Sequence, residues 1–481
     1  MSLLIAGIAF TAEDQKPFEK QHSDHIKEIF EAWDNDRGPW LYESIGALIM
    51  QEEMPERIAS LERTPFELVS EMSDNRKNRI LRAADVALEE ERAQNTTDQY
   101  FWEEYMRFIN STECQVSQGR SNGDPHMRTF DGEKYDFQTA GEYVLTSSTV
   151  NNFDVQTRQV RHNERISVNG AVVVNVNGDR VSVYAQDFPD EFTDAPMRIN
   201  GKVIDQEFET YLLKNGGVIR YANNRYMIHA PTGEQVHVRT RTFQGSALLD
   251  LDIFTPACDG SMEGLLGNAD GNPDTDLVVR EPKDDRQAAT DFPVDRTFDA
   301  VFGAGRHDKG QRNAEVARLN FLSRDFGDQF MVDSTNSMFE APIGILPEAL
   351  RYPTENLTLS DLTDEEIEEA LAVCREAGVA EDDLMECAFD HGYVGLEPEL
   401  PSVYVAPNEP REIGLPENNV NNPNDNKEQR NSTIRRGVGI GVGGGTVNQR
   451  RRNTGTTTTR PTRTNTGGGG TTRTPRGGGG R

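Results

Sequence analysis

The hydrophobic pattern of the chain changes period twice. Over residues 13–112 apolar positions recur at helical spacing: Ile26, Ile29, Phe30 and Trp33 fall at i, i+3, i+4 and i+7, one stripe of a 3.6-residue period. Ile80 to Arg92 is a charged, proline-free run of good helix formers. This stretch predicts a small helical domain. From Phe130 to Phe254 the period becomes two. The segments 141–146, 170–176 and 180–184 are short and β-branched, as half-buried strands require. Asn169-Gly170, Asn177-Gly178 and Asn200-Gly201 are each placed as hairpin connections. So many short strands need a second layer to cover their apolar faces, which predicts an antiparallel β domain of two packed sheets. Residues 306–356 have weak periodicity and read as an irregular segment wrapping that domain. Helix signals then return: Thr363 to Glu366 is a capping box, Ile367 and Leu371 begin an apolar stripe, and Gly378 ends it. A second short helix is expected from Asp382 to Phe389.

Composition changes the picture at the two ends. Beyond Pro401 the chain is rich in Pro and Asn, then in Gly, Thr and Arg. Such a segment buries too little surface to offset its ordering entropy, so residues 401–481 are expected to be disordered. Residues 1–12 form a short apolar run with a small-residue exit but no basic start, which reads as a clipped or weak signal peptide. No other run approaches the roughly 18 apolar residues of a membrane span, so the mature chain is expected to be soluble. The formal net charge is −30, yet from Arg430 onward the chain carries arginines and no acidic residue. An acidic body repels nucleic acid and attracts divalent cations, whereas the basic tail alone can bind polyanions.

Cys114, Cys258, Cys374 and Cys387 are the four cysteines, too few for a disulfide-dense scaffold and outside metal-type spacing. One reading is two disulfides: Cys374 with Cys387 closes a short loop, worth roughly 3 kcal/mol by chain entropy, and Cys114 with Cys258 ties the ends of the β domain. The other is four buried thiols in a cytosolic chain.

Two segments carry a family resemblance. Residues 123–132, GDPHMRTFDG, followed by Tyr135 to Phe137 and 141–145, resemble the opening of a von Willebrand factor type D domain; residues 264–276, GLLGNADGNPDTD, resemble that domain's signature loop near its end. The resemblance covers about residues 114–305, with a looser similarity through the Cys374 to Gly395 helices. It departs from the family at Gly141 and Leu266, where many members have cysteine, and the CxxC elements of disulfide-linked multimers are absent. A monomer is therefore expected.

The loop has its own logic. Asn268, Asp270, Asn272, Asp274 and Asp276 place oxygen-bearing side chains at alternate positions around Gly271, which permits the turn that lets several converge on one hard cation. Oxygen ligands without His or Cys favour calcium over zinc. The resemblance implies that Asp131 completes the site and that one position, placed at Asn272, contributes its backbone carbonyl; Thr275 stands where the family often has Asn or Asp. The second candidate is the Asp124-Pro125 bond. A carboxylate beside a proline nitrogen can attack its own carbonyl, and the resemblance implies autoproteolysis there, with His126 as proton carrier.

The overall expectation is a multidomain α+β chain: a helical domain at 13–112, the β-sandwich-like type D domain at 114–305, an irregular wrap with a helical pair at 306–400, and the tail. Its expected function is that of a secreted or surface calcium-binding adhesion or matrix module with an extracellular protein or polysaccharide partner. The alternatives are self-cleavage at Asp124-Pro125 and a secreted enzyme. The chain has no G-x-S-x-G elbow, HExxH motif or P-loop, and its eight histidines are scattered; catalysis on an external substrate is not expected.

Overall fold

The computed structural model describes residues 38–51, 54, 62–94, 98–189, 195–204, 208–243, 245–257, 260–279, 309–345, 352–354, 362–395, 398 and 402–406. The run at residues 1–12, the stripe from Ile26 to Trp33, Cys258 and the tail from Arg430 to Arg481 lie outside the described residues. Four helices, α1 (Gly38–Met50), α2 (Pro65–Ser70), α3 (Asp74–Gln94) and α4 (Gln99–Ser111), pack around Tyr42, Ile45, Phe66, Ala84, Trp102 and Tyr105. Thr64 caps α2 with a reciprocal Thr64–Glu67 box and Pro65 at the first turn, which satisfies two orphan amides. α2 is seated on the β domain: the Phe66 amide donates to the Pro231 carbonyl at 3.1 Å, and Arg220 lies 3.4 Å from buried Glu67.

The β domain is two antiparallel sheets, as the alternating pattern predicts. In order across the first sheet are β10 (Thr210–Leu212), β11 (Val218–Ala222), β12 (Arg225–His229), β13 (Gln235–Phe243), β14 (Ser246–Thr255), β1 (Ser117–Asn122), β2 (His126–Arg128) and β3 (Lys134–Asp136). The second runs β15 (Met262–Glu263), β4 (Gly141–Ser148), β5 (Phe153–Arg161), β6 (Ser167–Val176), β7 (Asp179–Tyr184), β8 (Met197–Ile199) and β9 (Lys202–Ile204). Side chains such as Val172, Val174, Val236, Leu251 and Ile253 fill the space between them, fully buried, because successive strand residues face opposite ways and one parity is apolar.

Two of the three Asn-Gly pairs make the turns expected of them: Asn177 and Asn200 have φ of 51°, with Gly178 and Gly201 also left-handed. Asn169-Gly170 does not. It lies inside β6, where Gln159 pairs with Asn169 and Arg158 with Ala171, leaving Gly170 as a bulge. The Asn169 side chain instead bridges the two sheets, donating to the Ser121 carbonyl at 3.0 Å and accepting from Thr157 Oγ1 at 2.9 Å. A buried amide with partners on both sheets outweighs the dipeptide's local turn preference.

The weakly periodic stretch is also not wholly irregular. Residues 309–330 form α5 (Lys309–Asn320), a π-helical turn (Phe321–Phe326) and a 3-10 turn (Gly327–Phe330). Its apolar stripe begins only at Leu319 and continues at Leu322 and Phe326, so the charged first turns hide the period. From Val332 to Ile343 the chain does run as an irregular strap. Arg158 lies beneath it, donating to Glu142 Oε1 from Nε at 3.0 Å and from Nη2 at 2.6 Å, and from Nη2 to the Ala341 carbonyl at 2.6 Å. The strap covers the outer face of β6, where Phe339 packs on Ala171, Val173 and Tyr184.

The last described helices are α6 (Asp364–Glu376), with the Thr363–Glu366 capping box in place, and α7 (Leu384–Phe389). A Cys374–Cys387 disulfide joins them, and Cys114 is also disulfide-bonded.

Candidate functional site

The signature loop leaves the core under tight constraint. Leu265 and Leu266 are fully buried; the Leu265 carbonyl accepts from the Tyr135 hydroxyl at 2.6 Å and the Leu266 carbonyl from the Phe130 amide at 3.0 Å. These bonds bring the turn carrying Asp131 against the loop. Gly267 has φ of +80°, and a Cβ there would sit 2.0 Å from Asp276 Oδ1, so only glycine admits the Asp276 carboxylate.

The oxygen-bearing residues then converge. Asp131 accepts from the amides of Asp270 (3.1 Å) and Gly271 (3.0 Å), one on each carboxylate oxygen. Asn268 Nδ2 donates to Asp270 Oδ2 at 3.0 Å and to Thr275 Oγ1 at 3.2 Å; that hydroxyl also lies 3.0 Å from Asp270 Oδ2. The Asn272 carbonyl accepts from the Thr275 hydroxyl at 2.9 Å, while the Asn272 side chain caps the short 3-10 turn (Pro273–Thr275) through the Asp274 amide. Asp274 enters this network through its amide alone. Asp276 lies at the base, 4% exposed. Its Oδ1 accepts the Asn268 amide at 3.0 Å, and its buried Oδ2 makes no hydrogen bond of ordinary geometry. Burial pushes the Asp276 carboxyl up to about 7 despite Thr129 and the Asn268 amide, with the charges of Asp131 and Asp270 adding to it. Burial also raises Asp131; in Asp270 burial acts the same way, but hydrogen bonds from the Asn272 amide, Thr275 and Asn268 together outweigh it and hold the carboxyl low.

On the first sheet, the turn between β1 and β2 carries Asp124 and Pro125. Its peptide is fixed on both sides: the Gly123 amide donates to Asp250 Oδ1 at 2.9 Å, and the Pro125 carbonyl accepts from the Phe137 amide at 3.0 Å. Asp124 is 0% exposed, and neither carboxyl oxygen makes a hydrogen bond of ordinary geometry. His126 Nε2 stands 2.8 Å from Asp124 Oδ1 and 3.2 Å from Asp390 Oδ1, while Nδ1 lies 2.6 Å from Asp136 Oδ1. Burial, with Asp390 beside it, holds the Asp124 carboxyl well above the usual range despite His126. Burial disfavours the His126 imidazolium, but the carboxylates of Asp124, Asp390 and Asp136 outweigh it and hold His126 well above its ordinary value. Burial likewise acts against ionised Asp390, and His126 overcomes it to hold that carboxyl low.

Residues 119–283 match the family model of the von Willebrand factor type D domain. The chain carries a type D domain over those residues. The human IgGFc-binding protein is 26% identical over 166 residues, 32% of this chain and 3% of that protein, so the chain spans a small fraction of the relative it matches. Both candidate sites fall inside the matched residues except for Asp390, which is contributed from beyond the type D domain. Among the described residues no helix is long and apolar enough to cross a membrane. Asp136 and Asp390 are the site residues that the sequence pattern does not reveal. Asp136 is one strand away from His126, but Asp390 is 264 residues distant, and no local spacing marks it.

Proposed function

We propose that this chain is a secreted or cell-surface adhesion or matrix module whose type D domain is stabilised by calcium bound at residues 268–276. The observation that carries the reading is Asp276: a buried carboxylate oxygen that makes no hydrogen bond of ordinary geometry, with the Thr129 side chain beside the carboxylate, at the base of a loop whose other candidate donors are all oxygen. Asp131, Asn268, Asp270, Asp276 and the Asn272 carbonyl would hold the ion, with Thr275 and Asp274 at its margin. The ion supplies the positive charge that three clustered carboxylates lack, and hard oxygen donors suit calcium. The fold then presents the two sheet surfaces and the N-terminal helices to an extracellular protein or polysaccharide, and the basic tail to polyanions. Isothermal titration of the full, chelator-stripped chain with calcium tests the site. One equivalent bound, reduced in Asp276→Asn, supports it; no binding heat and no retained calcium contradict it.

The Asp124 geometry favours a second activity, self-cleavage. An oxygen of the Asp124 side chain attacks the Asp124 carbonyl carbon, forming a five-membered anhydride. The bond to the Pro125 nitrogen breaks as that nitrogen takes a proton from His126 Nε2. Water then opens the anhydride to two carboxyl groups. Reduced intact-mass measurement after incubation at pH 5–8 reads it: fragments 1–124 and 125–481 support it, and a persistent full-length species contradicts it.

A further inference from the structure

The Asp124-Pro125 turn is completed from outside the type D domain. Asp390 follows α7 directly, and the α6–α7 pair is seated on the first sheet by a set of charges. Arg120 Nη1 bonds Asp383 Oδ2 at 3.1 Å, and Lys134 Nζ bonds Asp383 Oδ1 at 2.6 Å and the Asp382 carbonyl at 2.6 Å. Phe389 inserts beside Ile166, Val168 and Leu248 and meets the His126 ring edge-on at 5.6 Å. The Cys374–Cys387 disulfide ties α7 to α6. Gly123, with φ of +63°, leaves the room this approach needs: a Cβ there would lie 2.5 Å from Asp390 Oδ2.

We propose that Asp390 is a catalytic residue for self-cleavage at Asp124-Pro125, taking up the Asp124 carboxyl proton while it holds Nε2 of His126 beside the turn, so that scission depends on the docked α6–α7 pair. The proposal rests on the self-cleavage reading. Asp136 engages Nδ1 and Asp390 faces Nε2, so both ring nitrogens carry protons and the ring plane is fixed. The carboxyl oxygens of Asp124 and Asp390 that face the ring lie within 4.8 Å of each other, and two carboxylates so placed do not both ionise. Asp390 keeps the charge because His126 holds it low, while Asp124 keeps the proton. When Asp124 attacks, its carboxyl proton passes to Asp390 and the His126 Nε2 proton passes to the Pro125 nitrogen. The neutral ring and neutral Asp390 are what remain, and every proton is accounted for. The further charges facing this cluster are Glu386 and Lys134 beside His126, Asp250 on the Gly123 amide, and Arg241 towards Asp390. They are common to the wild type and to the Asp390 variants.

The experiment follows cleavage of the full chain from pH 2.5 to 9 by reduced gel and intact mass, with Asp124→Asn as the uncleavable reference. The wild type is expected to give a bell-shaped profile, its acid limb set by Asp390 and its alkaline limb by His126. Asp390→Asn is expected to slow cleavage by about 10- to 100-fold, to lose the acid limb, and to move the His126 titration, followed by NMR, to lower pH; Asp390→Glu restores part of the rate. Asp383→Asn, which loosens docking through Arg120 and Lys134 without touching His126, is expected to slow cleavage and serves if Asp390→Asn does not fold. A cleaving wild type whose rate and profile are shared by folded Asp390→Asn, or by Asp383→Asn where it must stand in, overturns the role of Asp390 alone. A folded wild type that never cleaves overturns the self-cleavage reading together with it.

Discussion

Asp131→Asn separates two roles that one carboxylate holds. In the folded loop Asp131 accepts the Asp270 and Gly271 amides, one on each oxygen. Asparagine keeps one acceptor and sets an NH2 group against the other amide. A hydrogen bond to a charged acceptor is worth about 1.5–3 kcal/mol when shielded, and Asp131 is half-exposed, so the loss without calcium is expected below that range, at about 1 kcal/mol. With calcium the substitution also removes one ligand charge, and affinity is expected to fall by about 10- to 100-fold. At a calcium concentration of 100 times the wild-type Kd, the ion stabilises the wild type by about 2.7 kcal/mol and the variant by about 0.4–1.4 kcal/mol. Differential scanning calorimetry with calcium and with EDTA, at matched ionic strength, gives both numbers. If the calcium-induced rise in Tm is the same in Asp131→Asn as in the wild type, Asp131 is not a ligand and the assignment of the loop is wrong.

Two further outcomes follow from buried charge. Glu142→Ala leaves Arg158 under the strap with two carbonyls and the Phe339 ring but no counter-charge; the expected loss is about 3–5 kcal/mol by urea unfolding, and a loss under 1 kcal/mol would show that the pair does not hold the strap. His237 is buried against Phe254, and burial, with Arg225 adding to it, pushes its imidazolium down to about 3. Because a free histidine titrates near 6.5, the folded state resists protonation: this contribution is complete above pH 6.5 and is lost as pH falls towards 3. At pH 5 the loss is roughly 2 kcal/mol relative to pH 7, and His237→Gln is expected to lack that part of the acid sensitivity; equal pH slopes for variant and wild type would refute it.

What was legible in the sequence was what is local. The alternating segments became strands, the Thr363 box capped α6, and the loop from Asn268 to Asp276 stood out because its donors lie within nine residues of one another. Asp131 required a resemblance, since only folding brings it to Asp270. Asn169 and Asp390 mark the boundary. The Asn169-Gly170 pair has the same local chemistry as Asn177-Gly178, and only its partners on the opposite sheet, Ser121 and Leu249, make it a bulge. Asp390 sits in a short helical segment with an ordinary composition, and its meaning comes from the packing of α7 on His126. The helix at 309–330 was hidden because its first turns are charged and its apolar stripe starts late.

The central claim is that calcium holds the type D domain together where several family cysteines are absent, and thermal unfolding of the full chain tests it most directly. With calcium at 100 times its Kd, the midpoint is expected to rise by about 5–10 °C over the same chain in EDTA at matched ionic strength. Coincident midpoints would contradict it.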